Sequence, residues 1–395
     1  MDPCNTVSAR TGPEGGPGVP VQHPIPEGCS DGSRSCPGDW INVLARILPW
    51  FRSLCPLQGS SLTLSAALLT LLVTGCSPGQ LVAHQFLKAP RRFPTLIHPE
   101  PRVYFSFPDA VTDTIPVQHA TVGDPPVDLA YRLIPPGDYG AGMVVSNLVV
   151  RGQSRPIYRY PGHPSTRTVP CRGTVVLLHG YGLDHETLIP WALHLAERGW
   201  LCVPIDLRGH GFSGGDRLTF GIREARDLMG FLDELERRGQ VEAPVHVLGV
   251  SYGAAMALRW SGLDPRIRSV VAITPYDRLE TAVDGLRESY AAWVPRHLTL
   301  KAVESMPGLL DQPPGGLDPI GWVRERPRPA LLVGADADPV APRSSIEALK
   351  SAAPGSSAVF IPETSHEMAP FRLDLLVDPV AQWLSGASPG PPNRR

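Results

Sequence analysis

The pentapeptide Gly-Val-Ser-Tyr-Gly at residues 249–253 places Ser251 in a setting that could make it a nucleophile. It follows an apolar run at residues 245–250 and precedes an Ala-rich stretch. Because glycine has no Cβ, neighbouring backbone can approach such a turn closely. A sharp strand-to-helix turn would expose the serine oxygen, and the helix N-terminus would favour negative charge beside it. The pattern therefore predicts a nucleophile elbow, the strained turn that presents a reactive serine.

Apolar runs that alternate with amphipathic stretches predict the elements that must position this serine. Strands rich in apolar residues are predicted at residues 174–178, 200–205, 245–250, 267–273, 330–333 and 358–361. The spacing of apolar residues predicts helices at 188–196, 220–238, 254–258, 346–350 and 373–384. Continuous apolar strands separated by helices are typical of a parallel sheet that is covered on both faces.

Two further regions frame this core. Residues 127–134 and 143–150, joined by a Pro-Pro-Gly-Asp turn, predict antiparallel strands that open the same sheet. Residues 277–327, which contain Trp293 and Trp322, are longer than a simple crossover and predict a small cap.

Several motifs resemble, in their order along the chain, those of the α/β-hydrolase superfamily. They are His-Gly-Tyr-Gly at 179–182, Asp-Leu-Arg-Gly-His-Gly-Phe-Ser at 206–213, the serine elbow, Gly-Ala-Asp-Ala-Asp-Pro-Val-Ala-Pro at 334–342 and Thr-Ser-His-Glu at 364–367. The block at 218–227 is similar to the branch of monoacylglycerol-lipase-like and serine-aminopeptidase-like hydrolases. The resemblance spans residues 127–384 and implies an α/β-hydrolase fold. That fold has a mostly parallel eight-stranded sheet, helices on both faces and a small cap between the sixth and seventh strands.

The resemblance implies that nucleophile, acid and histidine follow in that order along the chain. Ser251 is then the nucleophile. His366, between the last predicted strand and the last predicted helix, is the general base. Asp338, which begins the string Asp-Pro-Val-Ala-Pro, is the preferred acid. Asp336, two residues away, and Asp277, after the sixth strand, are alternative acids.

Two backbone N–H groups, those of Tyr181 and Tyr252, are expected to form the oxyanion hole. Tyr181 follows the His-Gly pair, and Tyr252 follows the serine. His179 and His210 lie in Gly-flanked turns after early strands. We expect these two histidines to hold loops rather than to transfer protons.

Composition and charge restrict the class of ligand. The chain has 395 residues, a net charge of −2 and no basic block, so nucleic acid is not an expected partner. The sequence has no Cys-x-x-Cys, no His-Glu-x-x-His and no phosphate-binding Gly-x-Gly-x-x-Gly after the first strand. We therefore expect neither a metal nor a cofactor. A serine rather than an aspartate at 251 argues against dehalogenase chemistry.

An uncharged apolar run at residues 62–73 follows Arg46 and Arg52 and ends in Thr-Gly-Cys76. It is too short to span a bilayer, which takes about 20 residues, and is typical of a signal peptide. The small residues before Cys76 resemble the lipobox of bacterial lipoproteins. The resemblance implies cleavage before Cys76, acylation of this cysteine and a protein anchored in the bacterial cell envelope outside the cytoplasm.

These patterns divide the chain into five parts. Residues 1–42, rich in Pro and Gly, are expected to be disordered or to precede a true start of translation near residue 43. Residues 43–75 are the signal peptide and 76–101 a tether. Residues 102–385 form the hydrolase domain with its cap at 277–327. Residues 386–395 are expected to be a disordered tail.

The sequence thus predicts a serine esterase or lipase that acts on a small-molecule or lipid ester, such as a monoacylglycerol or a lysophospholipid. A peptidase of the aminopeptidase branch would use the same three residues. A surface lipoprotein that keeps the fold without activity is the third hypothesis. The sequence does not specify an oligomeric state or a membrane leaflet.

Overall fold

The computed structural model describes residues 77–90, 104–107, 109–150, 153–165 and 167–386. The predicted signal peptide, Cys76, the extension at 1–42 and the tail from residue 387 lie outside the described residues. The strands, in chain order, are β1 Tyr104–Ser106, β2 Gln118–Val122, β3 Val127–Tyr131, β4 Val144–Val150, β5 Gln153–Arg159, β6 Thr174–Leu178, β7 Leu201–Ile205, β8 Val245–Val250, β9 Ile267–Ile273, β10 Ala330–Ala337 and β11 Ser357–Ser365.

The α-helices, in chain order, are α1 Pro78–Leu87, α2 Asp109–Thr112, α3 Ile189–Ala196, α4 Ile222–Arg237, α5 Tyr252–Leu263, α6 Leu279–Tyr290, α7 Arg296–Leu309, α8 Pro319–Glu325, α9 Arg343–Ala352 and α10 Leu373–Leu384. Short 3₁₀ turns precede α3 and α10, at His185–Leu188 and Ala369–Phe371. None of the helices in the described ranges has the length and apolarity needed to cross a bilayer.

The main sheet has eight strands in the order β11-β10-β9-β8-β6-β7-β3-β2. The strands from β11 to β7 are parallel to their neighbours. β3 runs antiparallel to both β2 and β7. The predicted mostly parallel eight-stranded sheet is confirmed.

Helices cover this sheet on both faces, which explains why its central strands are rich in apolar residues. Every residue of β6 and β8 is buried. Val176 and Leu178 of β6 belong to one hydrophobic cluster, while the alternating Val175 and Leu177 belong to a second one. Successive side chains of a strand point to opposite faces, so a strand buried between two helix layers has no polar side.

One predicted strand joins a different sheet. β4, expected to open the main sheet, instead pairs with β5 in a separate three-stranded sheet of order β1-β5-β4. The place beside β3 belongs to β2, which the sequence did not reveal because its residues are Gln-His-Ala-Thr-Val. The apolar composition of β4 was misleading, since Val144, Val145 and Val149 are exposed.

Part of the expected tether is folded. Residues 78–87 form α1, and its N-cap Ser77 makes a capping box in which the Gln80 amide donates to the serine oxygen and Gln80 Oε1 accepts from the Ser77 amide. α1 packs against α7, and a Cβ on Gly79 would lie 2.7 Å from Lys301 Cβ. The small residue at 79 permits this close approach. Three helices, α6 to α8, occupy the stretch predicted as a cap.

Candidate active site

Ser251 occupies a strained turn between β8 and α5. Its φ of 50° and ψ of −111° lie in a region that a residue with a side chain rarely adopts. A Cβ on Gly249 would lie 2.3 Å from the carbonyl oxygen of Gly253, and a Cβ on Gly253 would lie 2.4 Å from that of Leu178. Both distances are too short for any side chain. The two glycines are therefore required by packing, as the sequence predicted.

His366 links the serine to a carboxylate. The residue follows directly after β11, and its Nε2 lies 2.8 Å from Ser251 Oγ. Its Nδ1 lies 2.8 Å from Asp338 Oδ2. This network assigns the proton to Nδ1, which donates to the carboxylate, so Nε2 is free to accept from the serine hydroxyl. The arrangement suits removal of the serine proton by the imidazole.

Asp338 follows β10 and is held by the backbone of its own loop. Its Oδ1 accepts from the amides of Val340 and Ala341, each at 2.8 Å, which leaves Oδ2 for His366. The side chain of Asp338 is fully buried, and that of His366 is 10% exposed. The loop amides and the imidazole together occupy both carboxylate oxygens at this buried position.

The two alternative acids lie elsewhere. Asp336 pairs with Arg343 at 2.8 Å, and its side chain is 41% exposed. Asp277 accepts from Ser345 Oγ at 2.6 Å. Of the three candidate aspartates, the structure brings Asp338 to the histidine and leaves Asp336 and Asp277 with other partners.

The segment that carries Tyr181 lies against the serine turn. A methyl group placed on Gly180 would lie 3.7 Å from Ser251 Cβ. Tyr252 is the first residue of α5, where a backbone N–H has no partner within its own helix. The ring centroids of Tyr181 and Tyr252 are 6.0 Å apart. Burial raises the pKa of the Tyr181 phenol to about 12, so the ring is neutral.

His179 and His210 have structural hydrogen bonds. His179 Nδ1 donates to the Gly180 carbonyl at 2.8 Å, and its Nε2 accepts from the Leu207 amide at 3.0 Å. His210 Nδ1 donates to the Arg208 carbonyl at 2.9 Å. Burial lowers the pKa of both, that of His210 to about 3. Neither ring contacts the serine oxygen, and both hold loops around it.

A buried network around Asp206 was not assigned a role from the sequence. Asp206 accepts from the amides of His185 at 2.6 Å and Phe212 at 2.8 Å, and the His185 ring lies 2.9 Å from the same carboxylate. Arg132 donates to His185 Nε2 at 3.0 Å. Burial alone would raise the pKa of Asp206, but the bonds from His185 and Phe212 lower it overall. The network anchors the loop that follows Tyr181. The Asp-Leu-Arg-Gly-His-Gly string was the available signal.

A second missed contact joins the predicted cap to the histidine loop. The hydroxyl of Tyr290, the last residue of α6, donates to the carboxylate of Glu367, which directly follows His366. Burial and this neighbouring carboxylate raise the pKa of Tyr290. No local pattern could have indicated the contact, because 77 residues separate its partners.

Among the residues described, no three His, Cys, Asp or Glu side chains come together in a way that could hold a metal ion.

Comparisons with known proteins agree with this architecture. The family described as serine aminopeptidase, S33, matches residues 169–312. The esterase Pf2001 of Pyrococcus furiosus superimposes with a TM-score of 0.50 at 18% identity, over 71% of this chain and 98% of that one. The structure of Rv0554 from Mycobacterium tuberculosis gives a TM-score of 0.47 at 18% identity, over 69% and 100% of the two chains.

A curated sequence relative matches only part of the chain. The uncharacterised protein YqkD of Bacillus subtilis is 27% identical over 89 residues, which are 22% of this chain and 29% of YqkD. This chain thus spans less than a third of that relative in the match. At 18% identity, the likeness to Pf2001 shows a shared fold.

Proposed function

We propose that this chain, which shares the fold of a known esterase, is a serine hydrolase that cleaves a carboxylic ester. The observation that carries the proposal is the continuous chain of contacts at the serine. Ser251 Oγ, His366 and Asp338 are joined by two separations of 2.8 Å. A nucleophile within reach of a base that a buried carboxylate orients is the requirement for acyl transfer.

The proposed reaction has two halves. Ser251 Oγ attacks the ester carbonyl while His366 Nε2 takes the hydroxyl proton, and the imidazolium then protonates the leaving alcohol. Water attacks the resulting acyl-enzyme with the imidazole again acting as base, and the acid leaves. Asp338 keeps the proton on Nδ1 and stabilises the imidazolium that forms in each half.

The developing oxyanion needs donors on the side of the carbonyl oxygen. We assign this role to the backbone N–H groups of Tyr181 and Tyr252. The position of Tyr252 at the start of α5 and the closeness of Gly180 to Ser251 support the assignment. One such donor typically contributes about 10²–10³-fold to the rate.

A lipid ester is the favoured substrate, with a monoacylglycerol or a lysophospholipid as the type. The side chain of Leu183 reaches within 3.4 Å of a methyl placed on Gly180, which is itself beside the serine, and Leu183 is 37% exposed. An exposed apolar side chain at this position suits an acyl chain better than a polar one. A small soluble ester is the competing substrate type.

A peptidase is the second candidate, because the matching family is described as serine aminopeptidase. The same hydroxyl, imidazole and carboxylate serve both reactions. A matched ester and amide of one acyl group distinguish them. Hydrolysis of the ester without detectable hydrolysis of the amide supports the esterase, and turnover of the amide that Ser251→Ala abolishes supports the peptidase.

The proposed nucleophile is tested by covalent labelling. A fluorophosphonate probe should label the wild-type chain, and Ser251→Ala should abolish the label. Labelling that persists in Ser251→Ala would show that another residue is the nucleophile. A wild-type chain that takes no label would instead favour a lipoprotein that keeps the fold without activity.

We also propose that Cys76 carries a lipid anchor, which places the enzyme outside the cytoplasm in a bacterial envelope. The support is the sequence pattern that ends at Cys76. Growth of expressing cells with an alkyne-bearing fatty acid should label the wild-type chain and not Cys76→Ser. Equal labelling of both chains would contradict the anchor.

A further inference from the structure

A small pocket lies where the start of α4 meets the end of α7. It has a volume of about 260 Å³ and is lined by Arg217, Thr219, Ile222, Arg223, Arg226 and the turn at 309–311. The triad residues Ser251, Asp338 and His366 are not part of its lining. A water molecule takes about 30 Å³ in the liquid, so the pocket has room for a ligand of several non-hydrogen atoms.

Three arginines line this pocket. Among the described residues, no ion pair within 4.0 Å involves Arg217, Arg223 or Arg226. Asp311 also lines the pocket but pairs with none of them. Three cations against one carboxylate give the lining of the pocket a net positive charge.

The two acids near the start of α4, Glu224 and Asp227, have other partners. Glu224 is buried and accepts from the Thr219 amide, the Thr219 hydroxyl and the Gly221 amide. Asp227 is buried and makes a two-pronged pair with Arg208, at 2.7 and 2.8 Å. Both carboxylates point into the protein, so α4 presents cations to the pocket.

Two further features fix the geometry of the pocket. Arg217 donates to the carbonyl of Leu309 at 2.7 Å, which orients its guanidinium. The 16-residue helix α4 begins at the pocket, so Arg223 and Arg226 lie in its first two turns. The Arg223 amide is already bonded to the Thr219 hydroxyl at 2.8 Å, so the arginine side chains are the donors available to a ligand.

We propose that this pocket binds the phosphate group of a phosphate ester. Planar guanidinium groups bind phosphate oxygens through paired hydrogen bonds, and a phosphate monoester carries close to two negative charges at neutral pH. A carboxylate has a single negative charge and two oxygens. Three arginines carry more positive charge and more N–H donors than one carboxylate can pair with. The proposal does not depend on hydrolysis, because the pocket is separate from Ser251.

The site is tested by calorimetric titration of the full chain carrying Ser251→Ala, which prevents turnover. sn-Glycerol 3-phosphate should bind, and glycerol should not. The double change Arg223→Gln with Arg226→Gln should weaken binding of glycerol 3-phosphate about tenfold. Arg324→Gln, at an exposed arginine of α8 outside the pocket, should leave the affinity within about twofold. Absence of binding, or equal loss in the pocket variant and in Arg324→Gln, overturns the proposal.

Two controls keep this test decisive. Circular dichroism of the double variant should match the parent protein, since Arg226 is exposed and Arg223 half-buried. The charge-conserving Arg223→Lys with Arg226→Lys should lose less affinity than the glutamine pair. If the lysine pair and the glutamine pair bind alike, the arginines do not contact the phosphate and the proposal is wrong.

The source of the phosphate follows from a second pair of ligands. Lysophosphatidic acid, which is also a phosphate monoester, and a monoacylglycerol of the same chain length are titrated below their critical micelle concentrations. If the lipid is the source, lysophosphatidic acid binds at least tenfold more tightly than glycerol 3-phosphate, and the glutamine pair weakens binding of lysophosphatidic acid but not of the monoacylglycerol. If a soluble phosphate ester is the source, both phosphorylated ligands bind alike and inorganic phosphate competes with them. Either pattern supports the pocket as a phosphate site.

Discussion

At Asp338 the two carboxylate oxygens have different tasks. Oδ1 is held by the amides of Val340 and Ala341, and Oδ2 contacts His366. The loop therefore fixes the direction of the second oxygen before any substrate binds. Asp336 is exposed and has Arg343 as its partner, so its carboxylate lacks both features.

Changing each aspartate to asparagine should separate their roles. Asp338→Asn should lower kcat for a chromogenic short-chain ester about 10⁴-fold, because the amide no longer fixes the required tautomer of His366. Asp336→Asn removes one exposed ion pair and should change kcat by less than about twofold. Similar losses in the two variants would show that the carboxylates can exchange roles.

The sequence could place the acid only within a short loop. Asp336 and Asp338 stand two residues apart in one Asp-containing string, and either could reach the histidine after a small loop shift. The choice depends on the irregular register between Ala335 and Ala337 and on amide bonds from residues further along. Neither has a signature in the residue types.

Buried histidines make the folded state sensitive to acid. Burial lowers the pKa of His194 and His246 to about 4 and that of His210 to about 3, and it also lowers that of His179. Between these values and the ordinary 6.5, the unfolded chain binds more protons than the folded one. The contribution to stability is therefore complete above about pH 6.5 and is lost as the pH falls towards 4.

The free energy of unfolding should accordingly fall on acidification by up to about 1 kcal/mol per pH unit for each such histidine. Urea unfolding at pH 7.5, 6 and 5 measures the slope. His246→Gln should reduce the slope, whereas His84→Gln, on the exposed side of α1, should leave it unchanged. An unfolding free energy independent of pH in this window would contradict the assignment.

At the scale of elements, the serine turn depends on how closely three backbones approach. β8, α5 and the end of β6 meet at Gly249 and Gly253, where no side chain fits. The Gly-x-Ser-x-Gly spacing predicts this geometry because the two positions that exclude a side chain are the two glycines of the motif itself. Sequence and structure agree there for that reason.

Gly253→Ala should therefore disrupt the turn. Its Cβ would lie 2.4 Å from the Leu178 carbonyl oxygen. The variant should lose about 2 kcal/mol or more of unfolding free energy and most of the proposed esterase activity. Gly308→Ala is the matched control, since a Cβ there meets nothing within 4 Å. It should be neutral or more stable by up to about 1 kcal/mol. Equal effects at the two positions would exclude the packing argument.

The strands at the edge of the fold were harder to predict than those at its centre. β6 and β8 are buried on both faces, so their apolar runs are unambiguous. β2 buries only Ala120 and Val122, and its polar residues leave no apolar run that would predict a strand. β4 is apolar yet lies at the edge of the small sheet. Pairing at an edge depends on distant segments, which a local pattern does not describe.

At the scale of the whole molecule, α1 extends the folded unit towards the N-terminus. Ala83 and Leu87 belong to the same hydrophobic cluster as the central strands, and the Leu218 amide donates to the Leu87 carbonyl at 2.8 Å. The expected tether at 76–101 was inferred from its position after Cys76. The capping box at Ser77 and Gln80 was the overlooked signal for a helix.

Truncation of a buried residue of α1 should show that it belongs to the fold. Leu87 is 1% exposed, and Leu87→Ala should lower the free energy of unfolding by about 2–5 kcal/mol. Leu81, 38% exposed on the same helix, gives the matched Leu81→Ala, which should change it by about 0.5 kcal/mol or less. Urea unfolding of the full chain compares them. Equal stability of the wild type and Leu87→Ala would show that residues 78–87 act as a linker and do not contribute to the fold.

The strained backbone of Ser251 lowers the stability of the fold at the position that supplies the proposed nucleophile. An L-residue at φ 50° and ψ −111° is held there by its surroundings, and glycine adopts such angles freely. Ser251→Gly should relieve about 1 kcal/mol of backbone strain. The variant should therefore unfold at a higher temperature than the wild type, although it has no nucleophile. Selection for thermal stability alone would replace Ser251 with glycine. Retention of the serine in a lineage would therefore indicate selection for catalytic activity.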